Sequence, residues 1–157
     1  MPEEQARRAP SLDDILLVLS ELEKHNVTYA LLGGVAMAIH GFPRMTKDID
    51  CIFPRDPDNN ARLMAAIAAI SGKLRLDYLP QKEWLDQGFS TAAEGEIGID
   101  ILYVAASREF ADYKNHIERC EIDGITVNVL DIEGMLMSKE TGRPEDIPDR
   151  IRLSRLK

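Results

Sequence analysis

The chain has 157 residues, enough for a single hydrophobic core and too few for two independent ones. Its 45% hydrophobic and 29% charged content is ordinary for a globular protein, and a net charge of −8, from 19 basic and 27 acidic residues, excludes broad duplex binding through a basic surface. The opening MPEEQARRAP lacks the apolar centre of a signal peptide and no apolar run reaches membrane-spanning length, so the expectation is a cytoplasmic protein with no membrane partner.

One domain over residues 1–157 is expected, with residues 1–10 flexible and helices closing it over 131–157. Ser11 can cap a helix that carries Asp13 and Asp14 in its first turn and Ile15, Leu16, Leu19 and Leu22 at helical spacing, running to about His25. Val27 to Leu32 is β-branched and aromatic and ends at Gly33-Gly34, which predicts a strand feeding a tight turn. A helix then covers Val35 to His40, stopped by Gly41 and Pro43. Asp48 to Phe53 is the next strand, closed by Pro54, and Ala61 to Ile70 is an Ala-rich helix with Asp58 or Asn59 at its start and Gly72 past its end.

Beyond it the pattern predicts a short strand at Leu74 to Tyr78 and a short helix from Gln81. Phe89–Ala93 and Ile97–Val104 form two strands joined by Glu94-Gly95-Glu96, and Ser107 caps a helix to about His116. Glu121 to Val129 reads as a hairpin turning at Asp123-Gly124. Asp131 caps a helix through Lys139, which Gly142-Arg143-Pro144 breaks before a terminal helix begins near Glu145. The fold class is α/β (α+β), a mixed sheet flanked by helices. Cys51 and Cys120 have no zinc or redox spacing and read as free thiols, while Met37, Met64, Met135 and Met137 read as core fillers. His40, ending an apolar helix, reads as a packed or hydrogen-bonded histidine.

The chemistry lies in three acids. Asp48 and Asp50 flank one apolar residue in a strand, so both point to the same face and together can hold a divalent cation. Asp100 lies inside the apolar Gly98-Ile99-Asp100-Ile101-Leu102, where a charge is costly unless paired, solvated at a cleft or bound to a cation. Were the two strands neighbours, the three carboxylates would converge and a cation would relieve their repulsion. Gly33-Gly34 can admit backbone close to a phosphate, and Arg44, Lys47 and Lys139 are candidate phosphate contacts. From Lys139 to Lys157 six basic residues face four acidic ones, a local +2.

In that order, Gly33-Gly34, Asp48-Ile49-Asp50 and Asp100 resemble the nucleotidyltransferase superfamily that shares the DNA polymerase β-like core. The stretch GGVAMAIHGFPRMTKDID is most similar to minimal nucleotidyltransferases grouped with AbiEii toxins and small antibiotic nucleotidyltransferases. Lys139, Arg143, Asp146 and Asp149 resemble a helix motif near the end of AbiEii-like proteins, so the likeness covers about residues 29–153. The resemblance implies Mg²⁺ (or Mn²⁺) at Asp48, Asp50 and Asp100, an NTP held with help from Gly33, Gly34, Arg44, Lys47, Lys139 and Arg143, and transfer of its NMP to an acceptor hydroxyl with release of pyrophosphate. The acceptor stays open among RNA, protein and a small molecule, and a partner protein or a second copy can complete the site. An alternative from another class is a non-catalytic antitoxin or regulatory module of the same fold, or a Mg-NTP sensor.

Overall fold

Ser11 begins the first helix as its composition predicts: its hydroxyl accepts from the Asp14 N–H at 3.2 Å and the Asp14 carboxylate accepts from the Ser11 N–H at 2.8 Å, closing a capping box. Helix α1 (Leu12–Lys24) follows and buries Leu16, Val18, Leu19 and Leu22 on one side. The computed structural model describes residues 7–157. Residues 1–6 of the stretch expected to be flexible lie outside the described residues, whereas Arg8 pairs with both Asp14 and Glu96.

Strand β1 (Ala30–Leu32) runs into α2 (Gly33–Ile39), and the chain returns as β2 (Asp48–Ile52), antiparallel to β1. Asp56 caps α3 (Pro57–Lys73), whose first helical residue is Pro57. Then come β3 (Leu76–Tyr78), α4 (Lys82–Asp86), β4 (Thr91–Gly95) and β5 (Gly98–Leu102). A two-stranded ribbon, β6 (Val104–Ala105) with β7 (Arg108–Glu109), leads to α5 (Phe110–Tyr113). The hairpin β8 (Ile117–Ile122) and β9 (Ile125–Leu130) precedes α6 (Ile132–Ser138), capped by Asp131, and α7 (Ile147–Ser154).

Seven strands form one mixed sheet in the order β3-β4-β5-β2-β1-β9-β8, with β2/β5 and β1/β9 parallel. Ala30–Leu32, Ile49, Cys51, Ile101 and Val129 are buried in it, and α1 and α3 add Leu19, Leu63, Ile67 and Ile70 to the same core. Between these two helices the buried Glu21 is neutralised by Lys73 at 3.3 Å. Both cysteines are free, and no helix among the described residues is long and apolar enough to cross a membrane.

Several expected elements are corrected. The first strand starts at Ala30 rather than Val27, because the Asn59 side chain takes both backbone groups of Thr28, accepting its N–H at 2.7 Å and donating to its C=O at 3.0 Å. Ser107 caps no helix: it and Ala106 adopt φ values of +61° and +51° in the turn between β6 and β7, and the helix begins later with Glu109 as its cap. The glycine pair opens α2 instead of preceding it, and Gly72 lies inside α3 because the helix runs on to Lys73.

Asn59 is fully buried and is the clip that holds this strand entrance to α3. Replacing it, Asn59→Ala, removes both bonds to Thr28 and is expected to cost about 1–3 kcal/mol of stability. Equilibrium urea unfolding checks this, and an unchanged midpoint would refute the clip.

Candidate metal centre

The parallel pairing of β2 with β5 sets Asp48 opposite Gly98 and Asp50 opposite Asp100. Alternation turns Ile49 and Cys51 into the core, both fully buried, and leaves the acids on the other face. The condition that the sequence left open, adjacency of the two strands, is met. One carboxylate oxygen from each of Asp48, Asp50 and Asp100 lies within 4.8 Å of the others.

Glycines make the room. Leu32 pairs with Asp50, so Gly33 follows directly beside that carboxylate, and a Cβ built there would fall on it. Gly33 also has φ +72°, a conformation that disfavours any other residue. A Cβ on Gly98 would likewise strike the Asp48 carboxylate, and one on Gly34 the Thr46 methyl. Gly98 therefore belongs to the construction of the site although nothing in the sequence singles it out, and Thr46, in the lead-in to Asp48, belongs to it too.

Asp50 carries the electrostatic tension. Its Oδ1 is buried and receives no hydrogen bond among the described residues. Its pKa is pushed up to about 7, first by burial and then by the hydrogen bond and charge of Asp100, with Lys139 opposing the rise. Asp48 has one counter-charge from its own chain: the Arg7 guanidinium forms an ion pair with it and reaches Glu94 at 3.5 Å. An oxygen-only donor set with an orphaned buried oxygen fits a hard divalent cation such as Mg²⁺ or Mn²⁺.

The expected phosphate contacts are brought together unevenly. Lys47 is exposed and lines, with Arg7, Arg8, Ala9 and Asp48, a cleft of about 330 Å³. Arg44, Lys139 and Arg143 instead converge on two buried acids. Asp149 pairs with Arg44 and lies 3.0 Å from the Lys139 Nζ, while Asp146 accepts from Arg143 Nε at 3.0 Å and lies 3.7 Å from Lys139. Lys139 is the link, since its charge also acts on Asp50. His40 donates its Nε2–H to the Leu130 carbonyl at 2.7 Å and stands as a packed histidine. Arg7 and Glu94 were not legible as neighbours of the acids, because only folding brings residues 7 and 94 to position 48.

The profile of a family described as "Nucleotidyltransferase of unknown function (DUF6036)" matches residues 11–156. No curated protein matches the chain in sequence. Solved structures that share the fold include an antigenic nucleotidyltransferase-like protein from Paracoccidioides brasiliensis, 18% identical over 95% of this chain and 79% of that one, with a TM-score of 0.59. The antibiotic-resistance factor ANT(2'')-Ia is 19% identical over 92% of this chain and 83% of its own, with a TM-score of 0.60. Its crystal structure in complex with adenylyl-2''-tobramycin is similar at 18% identity, covering 94% and 91%, with a TM-score of 0.58. At such identities the likeness is one of fold.

The raised pKa of Asp50 has a definite sign for stability. The folded protein keeps a proton that the unfolded chain releases above about pH 4, so stability falls as pH rises from there through neutrality and the penalty is complete above about 7. In chelator, Asp50→Asn is expected to melt higher than the wild type at pH 8, with the gap closing toward pH 4. Melting curves at the two pH values check it; a gap that widens on acidification would contradict the assigned burial.

Proposed function

The chain belongs to that nucleotidyltransferase family, and on this premise we propose that it moves a nucleoside monophosphate from an NTP to an acceptor hydroxyl with release of pyrophosphate, acting as one domain. The observation that carries the reading is the meeting of Asp48, Asp50 and Asp100 within 4.8 Å, with a buried Asp50 oxygen that has no partner among the described residues. A bound Mg²⁺ or Mn²⁺ would neutralise these acids and stabilise the attacking and leaving oxygens of an in-line displacement.

The chain's own residues supply the rest. Asp48 and Asp50 would hold the cation, and Asp100, directly opposite Asp50 on the neighbouring strand, would share in holding it or take the proton of the acceptor hydroxyl. Gly33 and Gly34 keep side chains out of the space next to the acids, so a triphosphate can approach. Lys47, exposed at the cleft and in no ion pair among the described residues, would meet a phosphate, together with Arg44, Lys139 and Arg143. The adenylyl-tobramycin complex of ANT(2'')-Ia makes a hydroxyl on a small molecule one class of acceptor to test beside RNA and protein. The subgroup in this reading is AbiEii-toxin-like or small antibiotic nucleotidyltransferase-like, and a partner protein or a second copy would complete the acceptor side.

A second reading has its own support. The ion pair of Arg7 with Asp48 gives the acids a counter-charge from within the chain, as a non-catalytic regulatory or antitoxin module would have, while a Mg-NTP sensor would keep the cation and lack the transfer. Transfer of label separates the two. Incubation with each α-labelled NTP and Mg²⁺ or Mn²⁺, offering total RNA, cell protein and an antibiotic panel, is expected to label one acceptor class. Chelation should abolish the signal, and Asp48→Asn/Asp50→Asn should lower it by at least about a hundredfold. Full transfer by the double variant would sink the proposed roles; metal-dependent NTP binding without transfer would favour the sensor.

A further inference from the structure

A lysine ammonium sits on a flexible four-carbon stem, so a lysine that must meet a phosphate at one place needs something to hold it there. Lys139 has such a holder. It follows directly on α6 as the C-cap residue, its side chain is only 14% exposed, and its Nζ lies 3.0 Å from Asp149 and 3.7 Å from Asp146. On the other side its charge is felt by Asp50. Geometry joins the same cluster to the site through Arg44, whose Cδ lies 3.9 Å from where a Cβ on Gly34, the second glycine beside the acids, would stand.

Asp149 does more than pair with one residue. Its side chain, 5% exposed, also takes Arg44, which belongs to the loop between α2 and β2, and Arg152 at 3.3 Å one turn further along α7. Three separate pieces of chain, α7, the C-terminal end of α6 and the loop entering the Asp48 strand, are thus fastened at one carboxylate. Burial alone would raise its pKa, but hydrogen bonds from Arg44 and Lys139 overcome this and hold it below the usual carboxylate range. Asp146 serves a more local purpose, tying Thr141 and Arg143 in the turn before α7.

Resting on the nucleotidyltransferase reading, we propose that Asp149 is a positioning residue that aims Lys139 and Arg44 at the phosphates of a nucleotide bound at Asp48, Asp50 and Asp100. Helix α7 then forms part of the phosphate site without touching the ligand. Two opposite effects of this carboxylate can be told apart by sign. As a mere neutraliser it competes with phosphate for Lys139, and its removal would strengthen binding of a polyanion. As a positioner it keeps two mobile cations in place beforehand, and its removal weakens binding.

The probe is inorganic tripolyphosphate with Mg²⁺, which carries the phosphate chain common to every NTP, measured by calorimetry on the whole chain. Asp149→Asn is expected to bind about tenfold more weakly, Lys139→Gln to lose a smaller factor because Arg44 stays held, and the double variant to be no weaker than Asp149→Asn. A merely structural role would shift the melting temperature but leave the two losses additive. Should Asp149→Asn fail to fold, Asp149→Glu gives the answer: it keeps the charge but displaces the carboxylate, so positioning predicts weakened binding and neutralisation predicts wild-type affinity. Unchanged or tighter binding by Asp149→Asn, with the wild type binding normally, overturns this proposal alone. A wild type that binds no Mg-tripolyphosphate overturns the nucleotide reading, and this one with it.

Discussion

Everything chemical in this molecule depends on the parallel pairing of β2 and β5. That register sets Asp50 directly opposite Asp100 and Asp48 opposite a glycine, so three acids share one face while Ile49, Cys51 and Ile101 bury the other. A slip of one residue would turn every side chain of β2 to the opposite face, driving the acids into the core and Ile49 out of it. Burial of the apolar face therefore enforces the placement of the polar one. The strain that results, a carboxylate with an orphaned oxygen beside another acid, is what the core holds in place.

Charge is compensated in two tiers around that centre. Close in, Arg7 meets Asp48 and the charge of Lys139 acts on Asp50. Farther out, Asp146 and Asp149 gather Arg44, Lys139, Arg143 and Arg152 against the terminal helix. The net charge of −8 thus conceals a local concentration of basic groups around Asp146 and Asp149. Lys139 belongs to both tiers, its ammonium paired with Asp149 while its charge opposes the rise of the Asp50 pKa.

Much of this was legible in the residues because it is local. Ser11 and Asp131 cap the helices they were expected to cap, and Asp123-Gly124 turns the hairpin it was expected to turn. Misreadings arose where a distant group overrode local preference. Thr28 has strand propensity, but Asn59, 31 positions away, takes its backbone groups. Ser107 looks like a helix cap, yet the pairing of β6 with β7 needs a left-handed turn there. Of the glycines at the site, Gly33 and Gly34 are legible as a pair, whereas the need for Gly98 comes from Asp48 opposite it on the neighbouring strand.

By itself the sequence determined which side chains share a face, where helices start, and that acids at positions 48, 50 and 100 are out of keeping with their apolar strands, since these follow from backbone periods and local hydrogen bonding. Only the tertiary structure decided that the two acidic strands are neighbours, that Arg7 reaches Asp48, and that Arg44 meets Asp149 across 105 positions. Those contacts join segments far apart in the chain. Their choice rests on how the whole core packs, which no local pattern encodes.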